Sequence, residues 1–436
     1  MLMQKIFTCR RPCRSCRPCS SVPVVVLLAL FLSTTLHGMV DNRYLVPFLD
    51  RKPSIIDRSS VCPSFIWSLQ PFILTADQAY DALGEERGMF EYERPNYGIR
   101  YLDDALVRSG RTTAPLMRSD WRAVISEGPY HQEGCLQGKG LALDLFVPYG
   151  VHCGFGARTA FIQLDTALEL VRDVERFEGI IQGPGDEREL QILQEQIHQK
   201  LGEPSACWSG FSPSDTELYA KFFSIEDYSY KCRCIDLGLA LGAVVPTAYR
   251  RDIDNPASIP CGGEGRWGIF AEANFDAILK QNLWFDFLFR VEKRFPKTAI
   301  ERMPVDKEPQ RYGALVGPVR VNPGWTMVMS PYLMFEGLRA GLGARLGYTM
   351  VKHWCDSWVD CRQDRKVSAQ LGEVCNGSGW GSERVSCGVF YDLSKGRRHH
   401  ALMPVISLTV DIPVSWFATE RSMRTFGVSL AVESYF

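Results

Sequence analysis

The chain has 436 residues, with 49 Lys and Arg against 50 Asp and Glu for a formal net charge of -1, and 46% of its residues are hydrophobic. That balance excludes a nucleic-acid coat, and 24 Phe, 16 Tyr and 10 Trp are too many for a disordered chain. One long apolar run, rather than several, also excludes a bundle of transmembrane helices.

The N-terminus places Lys5, Arg10, Arg11, Arg14 and Arg17 before the apolar run Val22 to Leu32, followed by a short polar stretch ending at Gly38. This order predicts a secretory signal peptide over 1–38. A periplasmic segment over 39–61 and a single large domain over 62–436 are expected to follow. Of the 15 cysteines, Cys9, Cys13, Cys16 and Cys19 fall in the leader, and an exported chain would use the other 11 chiefly in disulfides.

Beyond the leader, hydrophobicity alternates with period two in blocks of about ten residues, the pattern of strands with one apolar face. In chain order the blocks are 65–74, 139–147, 151–164, 235–245, 267–277, 283–291, 325–335, 338–350, 386–393, 402–414 and 426–436. Between them, Leu168 and Val171, then Leu190, Leu193, Ile197 and Leu201, recur at helical spacing. A helical insertion over about 165–202, of two short helices around Gly183-Pro184-Gly185, is therefore expected to cap the barrel or pack on its loops.

The face opposite the apolar residues is rich in Gly, Ala and isolated charges. A soluble sandwich would carry Lys, Thr and Ser there. A transmembrane antiparallel β-barrel explains the pattern better, with apolar side chains toward lipid and small residues toward a lumen. Alternate connections must then be short, on the periplasmic side, and long, on the other. Glu336-Gly337 and 278–282 fall on the short side, whereas 246–264, 293–324 and 352–385 fall on the long one. The parity fails upstream of 233 unless Glu217 to Ile225 is a further strand, which makes an all-β barrel of about 12 strands, with 10 or 14 as alternatives.

In the closing strand Phe426, Val428, Leu430 and Val432 share one face, and the chain ends on Tyr435 and Phe436. This resembles the C-terminal signature of bacterial outer-membrane β-barrels. The resemblance implies that these six residues are read by the barrel-assembly machinery, and that the protein resides in the outer membrane of a Gram-negative-type bacterium. No narrower family is matched.

The same topology puts Cys135, Cys207, Cys261, Cys355, Cys361, Cys375 and Cys387 toward the outer face as disulfide candidates. Cys355, Cys361, Cys375 and Cys387 are the best placed to staple the large loop. Cys62, Cys153, Cys232 and Cys234 lie toward the periplasm.

No H-E-x-x-H, G-x-S-x-G or phosphate loop is present, and the paired His399-His400 suits a solvated turn better than a metal site. A non-enzymatic chain without metal or cofactor is expected; a hydrolase site assembled across strands would leave no such motif. Strand phase places Asp144, Asp236, Glu272, Asp276, Asp286, Asp411 and Glu433 in the lumen with Arg290, Arg339 and Arg345. The acidic excess points to cation preference in an open pore, or to mutual pairing in a filled one. The expectation is a porin-like channel for passive diffusion of small hydrophilic solutes. Its expected partners are outer-membrane lipid, the assembly machinery, small solutes and further copies of the chain, with no nucleic acid. The alternative is a cysteine-rich structural or adhesive protein linked by disulfides to itself or to other envelope proteins.

Overall fold

In hydrocarbon every backbone N–H and C=O must find a partner inside the protein, and the strands of this chain meet that demand by closing on themselves. The computed structural model describes residues 65–91, 98–124, 130–150, 152–172, 184–203, 206–226, 235–280, 282–393 and 404–435. The expected leader and periplasmic segment, Cys62, Cys232, Cys234, His399, His400 and Phe436 lie outside the described residues.

The barrel strands are β1 (Ile66–Ala76), β2 (Tyr130–Tyr149), β3 (Cys153–Arg172), β4 (Cys207–Pro213 continued by Thr216–Glu226), β5 (Ile235–Val245) and β6 (Gly268–Lys280). They continue as β7 (Leu283–Arg294), β8 (Trp325–Arg339), β9 (Leu342–His353), β10 (Trp380–Asp392), β11 (Val405–Val414) and β12 (Phe426–Tyr435). The two halves of β4 count as one strand because they pair in turn along the same edge of β3, Cys207 opposite Ala167 and Phe222 opposite Cys153. Each strand pairs antiparallel with its sequence neighbours, and β1 closes the ring on β12, Ile66 opposite Tyr435. The result is an up-and-down barrel of twelve strands, with 216–226 supplying the strand that parity demands.

Side-chain burial confirms the alternation. Along β12, Phe426, Val428 and Leu430 point outward and Ser429, Ala431 and Glu433 inward. Along β11, Ile406, Leu408, Val410 and Ile412 point outward. Exposed aromatics ring both ends of the apolar wall, as at the two interfaces of a bilayer. Trp267, Phe295, Trp325, Trp354, Trp416 and Phe417 stand at the long-loop end; Tyr149, Phe155, Phe222, Phe335 and Tyr391 stand at the other. One outward carboxylate, Glu383 on β10, is satisfied locally. It accepts hydrogen bonds from the backbone N–H groups of Trp416, Phe417 and Ala418 and from the hydroxyls of Thr419 and Tyr348, which fixes Trp416 and Phe417 at the interface.

The long connections build a cap with its own core. α1 (Ile99–Arg108) is amphipathic, burying Ile99, Leu102, Ala105 and Leu106. Its buried Asp103 accepts the backbone N–H groups of Leu116 and Met117 and pairs with Arg122 at 2.7 Å, tying it to α2 (Ser119–Val124). α3 (Pro184–Leu201) buries Leu190, Leu193, Ile197 and Leu201 against the same core. A three-stranded sheet of Lys297–Met303, Leu315–Asn322 and Ser357–Asp360 completes it, with α4 (Leu371–Gly377) alongside. Arg302 locks these parts together, donating to the carbonyls of Leu201, Ile253 and Gly313 and to Asp254. The apolar core continues from the cap into the mouth of the barrel, through Phe72, Leu74, Leu136, Ile162 and Leu164.

Four expectations are corrected. Residues 165–172 are strand rather than helix, because β2 and β3 are 20 residues each and run on past the membrane as a paired arm. At roughly 3.3 Å per residue such strands reach about 65 Å, well beyond the 9–11 residues a membrane strand needs. A single helix, α3, occupies the described part of the rest. The β8–β9 turn lies at Ala340-Gly341 rather than Glu336-Gly337, since β8 carries a register shift between Phe335 and Arg339.

The disulfide framework is also absent among the described residues. Cys153, Cys261, Cys355, Cys361, Cys375 and Cys387 are free thiols, and no disulfide joins Cys135 or Cys207 to another described cysteine. Cys387 sits in mid-strand opposite Leu346, facing outward. Nine residues of β9 and its end separate Leu346 from Cys355, about 30 Å of extended chain, against the 7 Å that a disulfide tolerates. The loop is held instead by hydrogen bonds, such as Cys375 accepting the Trp358 N–H.

Leu408→Arg, on the outward wall between Leu430 and Val389, is expected to cost about 2–4 kcal/mol in denaturant unfolding from lipid vesicles. Burial, then the Asp215 carboxylate, pushes the Cys261 thiol up to about 12, so it stays protonated at pH 8. A water-soluble maleimide at that pH should label exposed Cys355 in the folded barrel and reach Cys261 only after unfolding.

Candidate functional site in the barrel interior

The inward face is built by register. Gly150 turns β2 into β3, and a tight hairpin pairs residues symmetric about its turn, which sets Asp144 directly opposite Arg158. Arg158 in turn faces Glu217 on β4. One rung away Tyr219 lies over Gly156, where a Cβ would come within 2.2 Å of the ring. The glycine seats the ring, and the ring seats the Arg158 guanidinium 4.4 Å from its centroid while the Tyr219 hydroxyl donates to Asp144 at 2.9 Å.

From there the charges reach across the lumen. Arg158 lies 3.2 Å from Asp144 and 3.3 Å from Glu272 on β6. Arg290 on β7 stands over the Phe270 ring and binds Glu217 on β4 through both terminal nitrogens, at 2.7 and 2.9 Å, with Glu292 2.9 Å away. Arg294 bridges Glu292 and Asp215. Asp215 also accepts the backbone N–H groups of Ala248 and Gly263, so the network ends on the cap loop between β5 and β6. Arg290, Glu272 and Glu292 are each only 1% exposed. Planar guanidinium forks suit such bidentate pairing.

The other half of the wall, β8 to β12 with β1, is lined mainly by hydroxyl and amide groups, with Arg345, Asp411 and Glu433 as isolated charges among them. Ser330 and Thr349 share a hydrogen bond at 2.6 Å, Gln70 donates to Ser429 at 2.7 Å, and Ser386 donates to Asp411. Arg345 donates to Thr409.

Of the lumen residues named from sequence, Asp144, Glu272 and Arg290 meet in the charged network. Arg345, Asp411 and Glu433 face inward on the hydroxyl-bearing half. Asp236, Asp276 and Asp286 occupy one rung across β5, β6 and β7, near the short-turn end. Arg339 is the exception. It is exposed at the end of β8, because the shifted turn assigns it to the strand before the hairpin rather than the strand after it. Sequence phase missed Arg158, Asp215, Glu217, Glu292 and Arg294. Only Arg158 left a signal, its position across the tight 150–152 turn from Asp144.

No family model matches the sequence, and no curated protein matches it. Among solved structures, the chain is similar to an outer-membrane channel from Pseudomonas putida F1, at 10% identity over 88% of this chain and 100% of that one, with a TM-score of 0.49. It is also similar to the translocator domain of the autotransporter NalP from Neisseria meningitidis, at 8% identity over 87% and 90% of the two chains and a TM-score of 0.32. The P. putida toluene transporter TodX follows at 9% identity, 86% and 90% coverage and a TM-score of 0.29. All three likenesses are low, and the barrel assignment rests on this chain's own strand pairing.

Arg290→Gln would take from Glu217 its bidentate partner and leave Arg158, 3.8 Å away, and Arg294, 3.1 Å from Glu292, as the cations facing this buried pair of acids. It is expected to cost about 3–5 kcal/mol in denaturant unfolding, against about 1 kcal/mol for Thr349→Ala on the hydroxyl-bearing half.

Proposed function

We propose that the protein is an outer-membrane channel for passive diffusion of small hydrophilic solutes, held closed at rest by its cap and by the ion-paired half of its lumen. The observation that carries this reading is the buried arginine and carboxylate network spanning strands three apart. A barrel serving only as a scaffold is filled more cheaply with apolar side chains, since buried ion pairs rarely gain stability over them. The hydroxyl-lined half supplies a wall that water and polar solutes can wet. The Asp236, Asp276 and Asp286 rung supplies negative potential near the short-turn opening and favours cations. In this reading residues 1–38 are the export leader, the short turns face the periplasm, and the assembly machinery reads the last strand through Phe426, Val428, Leu430, Val432, Tyr435 and Phe436. The chemistry is non-enzymatic.

Purified protein reconstituted in planar bilayers should give discrete conductance steps with a cation-favouring reversal potential. The combined substitution Asp236→Asn, Asp276→Asn and Asp286→Asn should move that potential toward the anion side. An absence of steps from protein whose gel mobility still shifts on heating would sink the channel reading.

A further inference from the structure

A pocket of about 560 Å³ opens at the long-loop ends of β5, β6 and β7, outside the lumen, and is lined by Arg250, Arg266, Lys297, Trp267 and Phe295 with flanking prolines. We propose that it binds the phosphate group of a lipid headgroup from the surrounding leaflet.

Three cations converge there and no carboxylate lines the pocket. Arg266 is 4% exposed, yet its Nε and one terminal nitrogen have no hydrogen-bond partner. A buried guanidinium with idle donors is costly. Glu264, an acid within electrostatic reach of Arg266, turns toward Arg251 instead, accepting that residue's backbone N–H at 3.2 Å. Lys297 donates to the Gly265 carbonyl at 2.8 Å. Its ammonium is pushed below the usual lysine range by burial and then by Arg250 and Arg266, as expected of cations facing each other without an anion between them. Arg250 lies across Gly265, whose φ of +72° and bare Cα are both needed: a Cβ would meet the Arg250 Nε at 2.5 Å.

The position selects the source of the anion. Trp267 precedes β6 and Phe295 follows β7, both half-exposed on the outward side and joined by a hydrogen bond from the Phe295 N–H to the Trp267 carbonyl at 2.8 Å. Aromatic residues of this kind mark the headgroup level. Below them Ile269 and Leu241 continue the exposed apolar wall, a track for acyl chains under a bound headgroup. Two arginine forks and an ammonium match the several acceptor oxygens of a phosphate better than the two of a carboxylate.

The test uses the full chain in detergent micelles, with native mass spectrometry of bound bisphosphorylated lipid A, its dephosphorylated form, and inorganic phosphate. Wild type should retain the phosphorylated lipid over the dephosphorylated one, and R266Q should lower that retention by about tenfold or more. R250Q, at an exposed residue, carries the test if R266Q loses its heat-shifted mobility and so its fold. Equal retention of the two lipids by wild type, or unchanged retention in both variants, overturns the site. Inorganic phosphate binding as tightly as the lipid overturns the lipid source.

Discussion

A strand in hydrocarbon has no water to bond its backbone, so each barrel strand must be paired on both edges, and everything else in this structure follows from that closure. The ring from β1 round to β12 leaves no free edge within its apolar band. Once closed, the ring divides side chains into two populations by parity alone. Outward positions carry Leu, Val, Ile and the aromatic girdles; inward positions are released from meeting lipid and take up charge. The same rule explains the one outward acid near the rim. Glu383 is tolerated because a returning loop delivers three backbone N–H groups to it.

Inward, curvature brings strands that are not neighbours within side-chain reach. Arg158 on β3 meets Glu272 on β6, and Arg290 on β7 meets Glu217 on β4. Such contacts cannot form on an open sheet of the same sequence, so the network both depends on closure and stiffens it. Through Asp215 it is continuous with the cap, because that one carboxylate holds Arg294 and the N–H groups of Ala248 and Gly263. Displacing the β5–β6 loop therefore disturbs the charged half of the lumen, and the reverse holds as well.

The parts legible in the sequence were those governed by local periodicity. Alternation located the strands, and the parity of short and long connections recovered 216–226, whose own pattern is weak. The cap was illegible because its elements are short and come from separate connections. α1 has four apolar contacts, which become a core only beside Leu190, Met303 and Trp358 from elsewhere in the chain. Leu168 and Val171 mimicked helical spacing inside a strand that outruns the membrane, where an apolar cap replaces lipid as the partner and alternation loosens. Arg339 was misplaced by one bulge, since a four-residue slip in the turn, from 336–337 to 340–341, moves its side chain to the other strand. The cysteines misled because composition reports compartment, whereas pairing depends on distances that only the fold sets.

In the proposed channel reading, the magnitudes indicate where a passage would run. Separating Arg290 from Glu217 breaks a buried bidentate ion pair at a cost of about 3–5 kcal/mol, and Arg158 and Arg294 extend that cost along the β2 to β7 wall. On the β8 to β12 wall the bonds between Ser330 and Thr349, or Gln70 and Ser429, are neutral and worth about 1 kcal/mol each. A hydroxyl also exchanges its partner for water without changing charge. In that reading opening would cost least along the hydroxyl-bearing half, with the ion-paired half acting as a fixed abutment and the acidic rung of β5, β6 and β7 facing the path from across the lumen. The asymmetry of the inner wall, rather than its total charge, is thus the feature on which the proposed channel, as against a merely filled barrel, would depend.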